Sequence, residues 1–408
     1  MSSLRPLDQS RKLKDVLYEI RGEALVEADR LEAEGHTILK LNTGNPAVFG
    51  FDAPFQIVRD MIDAIPSAHG YSESKGIMSA RRAVVYRYEQ EPGFPAFTPD
   101  DVYLGNGVSE LITMTMQALL DEGDEVLIPA PDYPLWTAMT SLGGGTPVHY
   151  VCDEQNGWQP DIEDIRSKIT DRTKAIVVIN PNNPTGAVYT REVLTQIVEL
   201  AREHSLLLLA DEIYDRILFD GARHIPLATL APDLLCLTFN GLSKTYRVAG
   251  YRSGWMVITG PRHHARGFLE GINLLASTRL CPNVPAQHAV QAALSGVQSI
   301  DALIAPTGRL HEQRDAAWEG LEAIPGVSCV KPAGALYAFP RLDPEVHEIR
   351  DDAKLVHDLL VAEHILLVPG TGFNWPTPDH LRIVTLPEAR VIAEAIERLG
   401  NFLSSYRQ

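Results

Sequence analysis

The chain opens on a helical pattern. Between residues 9 and 35 apolar side chains recur at Leu13, Val16, Leu17, Ile20, Leu25 and Leu31 among charged ones, the spacing of one helix face, and Gly35 ends the run. Residues 37–41 read as a short strand running into the turn-rich Asn42-Thr43-Gly44-Asn45-Pro46. Strands and helices then alternate. The spacing predicts a helix over 108–120, strands at 124–128, 148–151 and 175–179, and an amphipathic helix over 191–204. Further strands follow at 206–210, 235–239 and 255–259. Strands that are apolar at every position are buried on both faces, which implies a largely parallel sheet between layers of helices. Ligands of such a sheet bind at the carboxyl ends of its strands.

Past residue 283 the texture changes. Helices over 286–294 and 308–324 precede short strands at 327–330, 335–339, 365–368 and 381–384, with a helix over 352–363 between two of them and another closing the chain. The expected fold class is therefore α/β: a large domain, residues 45–289, with a mostly parallel sheet flanked by helices, and a smaller α+β domain. Residues 290–408 form the smaller domain, joined by the N-terminal helix and strand of 1–44. No repeat, low-complexity tract or flexible linker interrupts the chain.

Composition narrows the function. A length of 408 residues corresponds to about two to three domains, and 45% hydrophobic with 22% charged residues is ordinary for a globular chain. The 36 Lys and Arg against 53 Asp and Glu leave a net charge of −17. That balance excludes a nucleic-acid footprint and a surface built for anionic lipid, but not anionic small substrates, because a few arginines in a cleft dominate locally. Cys152, Cys236, Cys281 and Cys329 are far apart and show neither a CxxC pair nor zinc spacing, so reduced thiols are expected. The first sixteen residues lack an apolar signal core, and no apolar run reaches membrane-spanning length, so a cytoplasmic protein is expected.

Three segments put polar groups directly after buried strands. Asn180-Pro181-Asn182-Asn183-Pro184-Thr185-Gly186 is a loop stiffened by two prolines and rich in donors; alone, it equally suits a plain turn. Asp211-Glu212-Ile213-Tyr214 places a carboxylate at the end of an apolar strand, where it needs a partner or caps a helix. Asn240-Gly241-Leu242-Ser243-Lys244-Thr245, with Gly250 and Arg252 after it, places a lysine where it can act as an amine nucleophile; a lone lysine equally suits a solvated surface.

Together these pieces resemble the fold-type I pyridoxal-phosphate aminotransferases, over nearly the whole chain. The resemblance also rests on Tyr71 ahead of Lys75-Gly76, on Gly105-Asn106-Gly107-Val108-Ser109-Glu110 opening a helix, on Pro131-Asp132-Tyr133-Pro134, and on Arg382 in a late strand. Residues 240–250 and 373–386 look like the bacterial glutamate–pyruvate (alanine) aminotransferases. The resemblance implies pyridoxal 5'-phosphate as cofactor and Lys244 as its Schiff-base lysine and proton carrier. It implies Asp211 facing the pyridine nitrogen, Asn183 and Tyr214 donating to the phenolate oxygen, and Tyr133 stacked on the ring. Many aspartate aminotransferases carry Trp in place of Tyr133, a difference between sub-families. Val108, Ser109, Ser243 and Arg252 would hold the phosphate, with Tyr71 reaching it from the other subunit of a homodimer.

For the substrate, Arg382 would pair with the α-carboxylate, and Gly44 and Asn183 would line it. Arg247 and Arg279 are candidates for the distal carboxylate of glutamate. The expected reaction is reversible, ping-pong transamination: L-alanine and 2-oxoglutarate to pyruvate and L-glutamate. Another amino-acid specificity or a pyridoxal-phosphate lyase on the same scaffold are alternatives. A cofactor-sensing regulator is a further one, but residues 1–35 carry no DNA-binding extension.

Overall fold

The computed structural model describes residues 7–13, 16 and 22–408. Leu17 and Ile20 of the expected N-terminal helix lie outside these residues. That helix is shorter than its apolar pattern suggests. It spans Glu23–Ala33 with Gly22 at its N-cap, while Leu13 belongs to a separate 3-10 turn, Arg11–Leu13. Gly35, at φ +96°, takes the chain out of the helix in a conformation suited to glycine.

The first nine strands are β1 (Leu39–Lys40), β2 (Val102–Gly105), β3 (Glu125–Ala130), β4 (Thr146–Asp153), β5 (Gln159–Pro160), β6 (Thr173–Ile179), β7 (Leu207–Asp211), β8 (Cys236–Gly241) and β9 (Gly254–Thr259). Eight of them form one sheet in the order β2-β9-β8-β7-β6-β3-β4-β5. The pairs β8/β7, β7/β6, β6/β3 and β3/β4 are parallel, as the apolar runs predict. Antiparallel pairing is confined to the partners of β9 and to β5 against β4.

Alternate residues of the central strands enter two different cores. Ile176, Val178, Leu208 and Ala210 pack with Leu194, Ile197 and Val198 of the helix Arg191–Glu203. Ala175, Val177, Ile179, Leu207 and Leu209 pack on the other face with Leu111, Ile112 and Met114 of the helix Val108–Leu119. Both faces of each strand are thus covered, so no position needs to be polar, and the strands read as unbroken apolar runs.

The remaining strands are β10 (Val327–Ser328), β11 (Tyr337–Ala338), β12 (Arg341–Leu342), β13 (Ile365–Leu366), β14 (Val368–Pro369) and β15 (Leu381–Val384). They form small sheets: β1 beside β13 in parallel, β10 with β12, and β11-β15-β14. A separate core of Leu321, Leu355, Leu359, Ile383, Ile392, Ile396 and Leu399 lies beneath them. The expected strand at 365–368 is two strands with different partners, broken at Leu367.

The helix Met78–Glu89 escapes a reading of apolar periodicity because two of its inward positions are Arg81 and Arg87. Arg87 pairs with buried Asp215, and Arg81 donates to the Gly76 carbonyl at 2.9 Å and pairs with Glu73. The four cysteines are free, and three are buried. Among the described residues no helix is long and apolar enough to cross a membrane, and no cluster of His, Cys, Asp and Glu could hold a metal ion.

Candidate active site

The three polar segments meet because β6, β7 and β8 are parallel neighbours ending at the same edge of the sheet. The loop after β6 divides its asparagines between two tasks. Asn180 Oδ1 accepts from the Tyr189 amide at 2.9 Å, and Asn182 Oδ1 accepts from the Thr185 amide and hydroxyl at 3.2 and 2.9 Å, so these two brace the loop. Asn183 turns into the cavity, where its Oδ1 accepts from Arg382 Nη1 at 3.3 Å.

Asp211 ends β7 and is only 3% exposed. Trp136 Nε1 donates to its Oδ2 at 2.9 Å. Burial pushes this carboxyl up to about 6, against the lowering effect of the Trp136 bond. The adjacent Glu212 sits in a different pairing, 3.3 Å from His224.

Beyond β8, Lys244 reaches back across 200 residues of sequence, and its Nζ donates to the Gly44 carbonyl at 2.8 Å. Arg252, at φ +52°, donates to the carbonyls of Ala249 and Asn106 at 3.0 and 3.3 Å. Its guanidinium therefore lies beside Gly107, at the N-terminus of the helix that begins with Val108 and Ser109.

Arg382 enters from β15. Its guanidinium is held between two aromatic rings, 4.6 Å from the centroid of Tyr337 and 4.5 Å from that of Phe373, and Nη2 donates to the Asn42 carbonyl. Gly44, Val108, Ser109, Tyr133, Asn183, Asp211, Tyr214, Ser243, Lys244, Arg252 and Arg382 all border one cavity of about 490 Å³. Tyr71, which the resemblance assigns to the other subunit's phosphate, stands apart: it is 84% exposed and absent from the cavity wall.

Neither candidate for the distal carboxylate enters this cavity. Arg279 pairs with Glu110 at 2.6 Å and donates to the carbonyls of Ser74 and Leu104, while Arg247 donates to the Asp52 carbonyl and the Ser299 hydroxyl. Both guanidiniums are held by other groups of this same chain.

Two residues of the site are not singled out by the sequence. Trp136 falls between the strands expected at 124–128 and 148–151, where no element is read, and Tyr337 reads as one residue of a small strand. Tyr337 is 2% exposed, lines the cavity, and meets the Tyr214 hydroxyl at 2.7 Å. A Cβ on Gly44 would collide with its hydroxyl, a tertiary contact that no local pattern announces.

The donor set fits pyridoxal 5'-phosphate. One end of the cavity offers backbone amides at a helix N-terminus together with the Ser243 hydroxyl and the Arg252 guanidinium, which suits a phosphate. Gly107 leaves no room for a side chain there: a Cβ would run into Arg252. Gly254 is equally tight, since a Cβ would stand 2.8 Å from the Val108 amide. In the middle lies a buried carboxylate whose hydrogen bonds come only from neutral donors, which suits a protonated ring nitrogen. Lys244 and Arg382 complete the set with an amine and a carboxylate receptor.

Residues 36–399 match the family Aminotransferase class I and II. The chain is 73% identical over 404 residues to the alanine aminotransferase of Mycobacterium tuberculosis, covering 99% of this chain and 94% of that one. It is 60% identical over 405 residues to the glutamate-pyruvate aminotransferase AlaA of Escherichia coli, covering 99% of this chain and all of the other. A crystal structure of an aminotransferase from Escherichia coli superposes with a TM-score of 0.98 at 60% identity, over 99% of this chain and 100% of that one. With cavity, fold and relatives in agreement, the chain belongs to the class I and II aminotransferases, enzymes that work with pyridoxal 5'-phosphate.

Proposed function

We propose that the protein interconverts L-alanine and 2-oxoglutarate with pyruvate and L-glutamate, and that its site works as follows. The observation that carries the reading is the convergence of Lys244, Asp211 and Arg382 on one cavity from three separate segments of the fold. The names of the relatives at 73% and 60% identity support the choice of alanine and glutamate.

The cofactor, when bound, supplies an electron sink for the bond broken at the substrate's Cα. Everything else falls to this chain. Val108, Ser109, Ser243 and Arg252 bind the phosphate. Asp211 would keep the ring nitrogen protonated, Tyr133 would cover the ring, and Asn183 and Tyr214 would donate to its phenolate oxygen. Lys244 would anchor the cofactor covalently and, once displaced, its Nζ would take the proton from the substrate's Cα and deliver it to the cofactor's carbon, with the reverse transfer in the second half-reaction. Arg382 orients both substrates by their α-carboxylate, with the backbone of Gly44 alongside. The same site serves both half-reactions, which gives a ping-pong route.

We further propose a cytoplasmic homodimer with shared sites. The exposed Tyr71 supports this, since an exposed aromatic side chain that does not border its own cavity is placed to serve another. Two-fold dimers are the commonest assembly. The proposed large domain is residues 45–289 and the small one 1–44 with 290–408, but the helix Val284–Ser295 runs across that boundary and its Val290, Ala292 and Ala293 pack with Ile57, Val84 and Val257 of the large domain.

A panel of amino donors and 2-oxo acids with the purified, cofactor-loaded enzyme tests the reaction. Alanine with 2-oxoglutarate should give pyruvate and glutamate in equal amounts. Much better turnover of aspartate and oxaloacetate would overturn the alanine assignment. A 2-oxo acid formed without a new amino acid would indicate a lyase instead.

A further inference from the structure

Asp132 takes no part in the proposed chemistry, yet it is fully buried beside the cavity. Both of its carboxylate oxygens are occupied. Asn374 Nδ2 donates to Oδ1 at 2.7 Å and Thr137 Oγ1 donates to Oδ2 at 2.7 Å. The Asp132 amide in turn donates to the Phe373 carbonyl at 3.0 Å, so Asp132 by itself is tied to two adjacent residues of a segment more than 240 positions away. Asn374 Nδ2 also approaches Thr137 Oγ1 at 3.3 Å, and Thr137 Oγ1 lies 2.8 Å from His149 Nε2. Among the described residues no cation pairs with the carboxylate, and burial raises its pKa to about 7.

A buried carboxylate held only by neutral donors is an expensive way to brace a loop, because an amide could make similar bonds without the desolvation penalty. The segment it braces explains its place. Phe373 is completely buried, and its ring is one of the two between which the Arg382 guanidinium lies. On the other side of Asp132, Tyr133 borders the cavity. A cation between two rings gains from both faces only while both stay within reach.

We propose that Asp132 is a positioning residue for carboxylate recognition: through Asn374, Thr137 and the Phe373 carbonyl it holds the Phe373 ring against Arg382. The proposal rests on the reading of Arg382 as the carboxylate receptor. Two-point ties to both oxygens make Asp132 the fixed end, and the strand position of Tyr337 fixes the opposite ring.

Calorimetric titration of the holoenzyme with glutarate, an unreactive dicarboxylate, tests this. Asp132→Ala should weaken glutarate roughly tenfold, the order of one lost desolvated cation–π contact. Phe373→Leu should do the same, and the double variant should be no weaker than the weaker single, since both remove one interaction. Asp132→Asn, which keeps an acceptor oxygen, should fall between wild type and Asp132→Ala. If Asp132→Ala does not fold, Asn374→Ala removes the other end of the tie and should give the same non-additivity with Phe373→Leu. Effects that multiply in the double variant, or unchanged glutarate affinity in soluble, folded variants, would overturn the positioning role. Arg382→Ala separates the two readings. If it leaves glutarate binding intact, the receptor assignment itself fails; if it abolishes binding while Asp132→Ala does not weaken it, only the positioning role does.

Discussion

The hydroxyls of Tyr214 and Tyr337 meet at 2.7 Å, one from the loop after β7 and the other from β11, with their rings edge to face at 5.8 Å. Only one of the two can donate within the pair. Burial raises the Tyr214 hydroxyl well above the ordinary tyrosine value, while for Tyr337 the nearby Lys244 and Arg382 outweigh burial and lower it. In the cofactor-free protein Tyr214 is thus the partner that keeps its proton and donates it to Tyr337; the phenolate oxygen of a bound cofactor would compete for that one proton.

Tyr337→Phe removes this acceptor but leaves the ring over Arg382. A buried hydroxyl that loses its partner costs about 1–3 kcal/mol. We expect kcat to fall roughly tenfold with KM for alanine nearly unchanged. Tyr337→Leu, which removes the ring as well, should raise KM. Steady-state kinetics of the two variants checks the split.

Asp211 makes the cofactor-free protein sensitive to pH. Its folded pKa of about 6 lies above the ordinary 3.8, so the folded state holds the proton more tightly than the unfolded one. Its contribution is present below pH 4 and is lost as pH rises through 6, on the order of 3 kcal/mol in full. Asp211→Asn should therefore raise the Tm of the cofactor-free protein at pH 7.5, and the gain should vanish below pH 4. Equal gains at both pH values would contradict this.

Gly107→Ala should damage the phosphate end of the site. Gly107 has φ +82°, and a Cβ would collide with the Arg252 guanidinium. A left-handed conformation costs a residue with a side chain roughly 1–2 kcal/mol before any clash. Affinity for pyridoxal 5'-phosphate, followed by fluorescence quenching, should fall at least tenfold, while the fold persists by circular dichroism.

Arg382→Lys keeps the charge and loses the planar two-point contact and the fit between the rings of Tyr337 and Phe373. KM should rise for alanine and 2-oxoglutarate alike, because both present the same carboxylate. Arg382→Ala should be worse, by about 2–5 kcal/mol. A rise for only one substrate would mean that Arg382 reads the side chain instead.

Lys244 and Tyr71 can be tested together. Lys244→Ala should lose nearly all turnover, and borohydride should then fix no cofactor to the chain. In a shared-site dimer, a Tyr71→Phe chain paired with a Lys244→Ala chain has one site carrying both changes and one carrying neither. Refolding the two variants together should restore activity above either alone, up to about a quarter of wild type for random pairing. Verified heterodimers without recovery would place Tyr71 in its own subunit's function.

The sequence determined the central strands and the loops after them. Residues 175–179 and 206–210 are apolar throughout, and 235–239 apart from buried Thr238, because both faces are covered, and that local pattern survives without any knowledge of partners. The polar segments that follow were legible for the same reason: Asn183, Asp211 and Lys244 stand where apolar runs stop. Elements whose stability comes from elsewhere were not legible. The inward arginines of Met78–Glu89 are tolerable only because Asp215 and the Gly76 carbonyl receive them. The two-residue strands around Leu367 exist only through their separate partners. Which of two buried acids faces the cavity, Asp211 or Glu212, was settled by Trp136 on one side and His224 on the other. Arg247 and Arg279 looked available until the fold brought carbonyls and Glu110 to them. Tyr337 and Asp132 acquire meaning through Tyr214 and Asn374, each more than a hundred positions away. Burial along a strand is written in neighbouring residues, but a hydrogen bond or an ion pair is decided by whichever group the folded chain delivers to it.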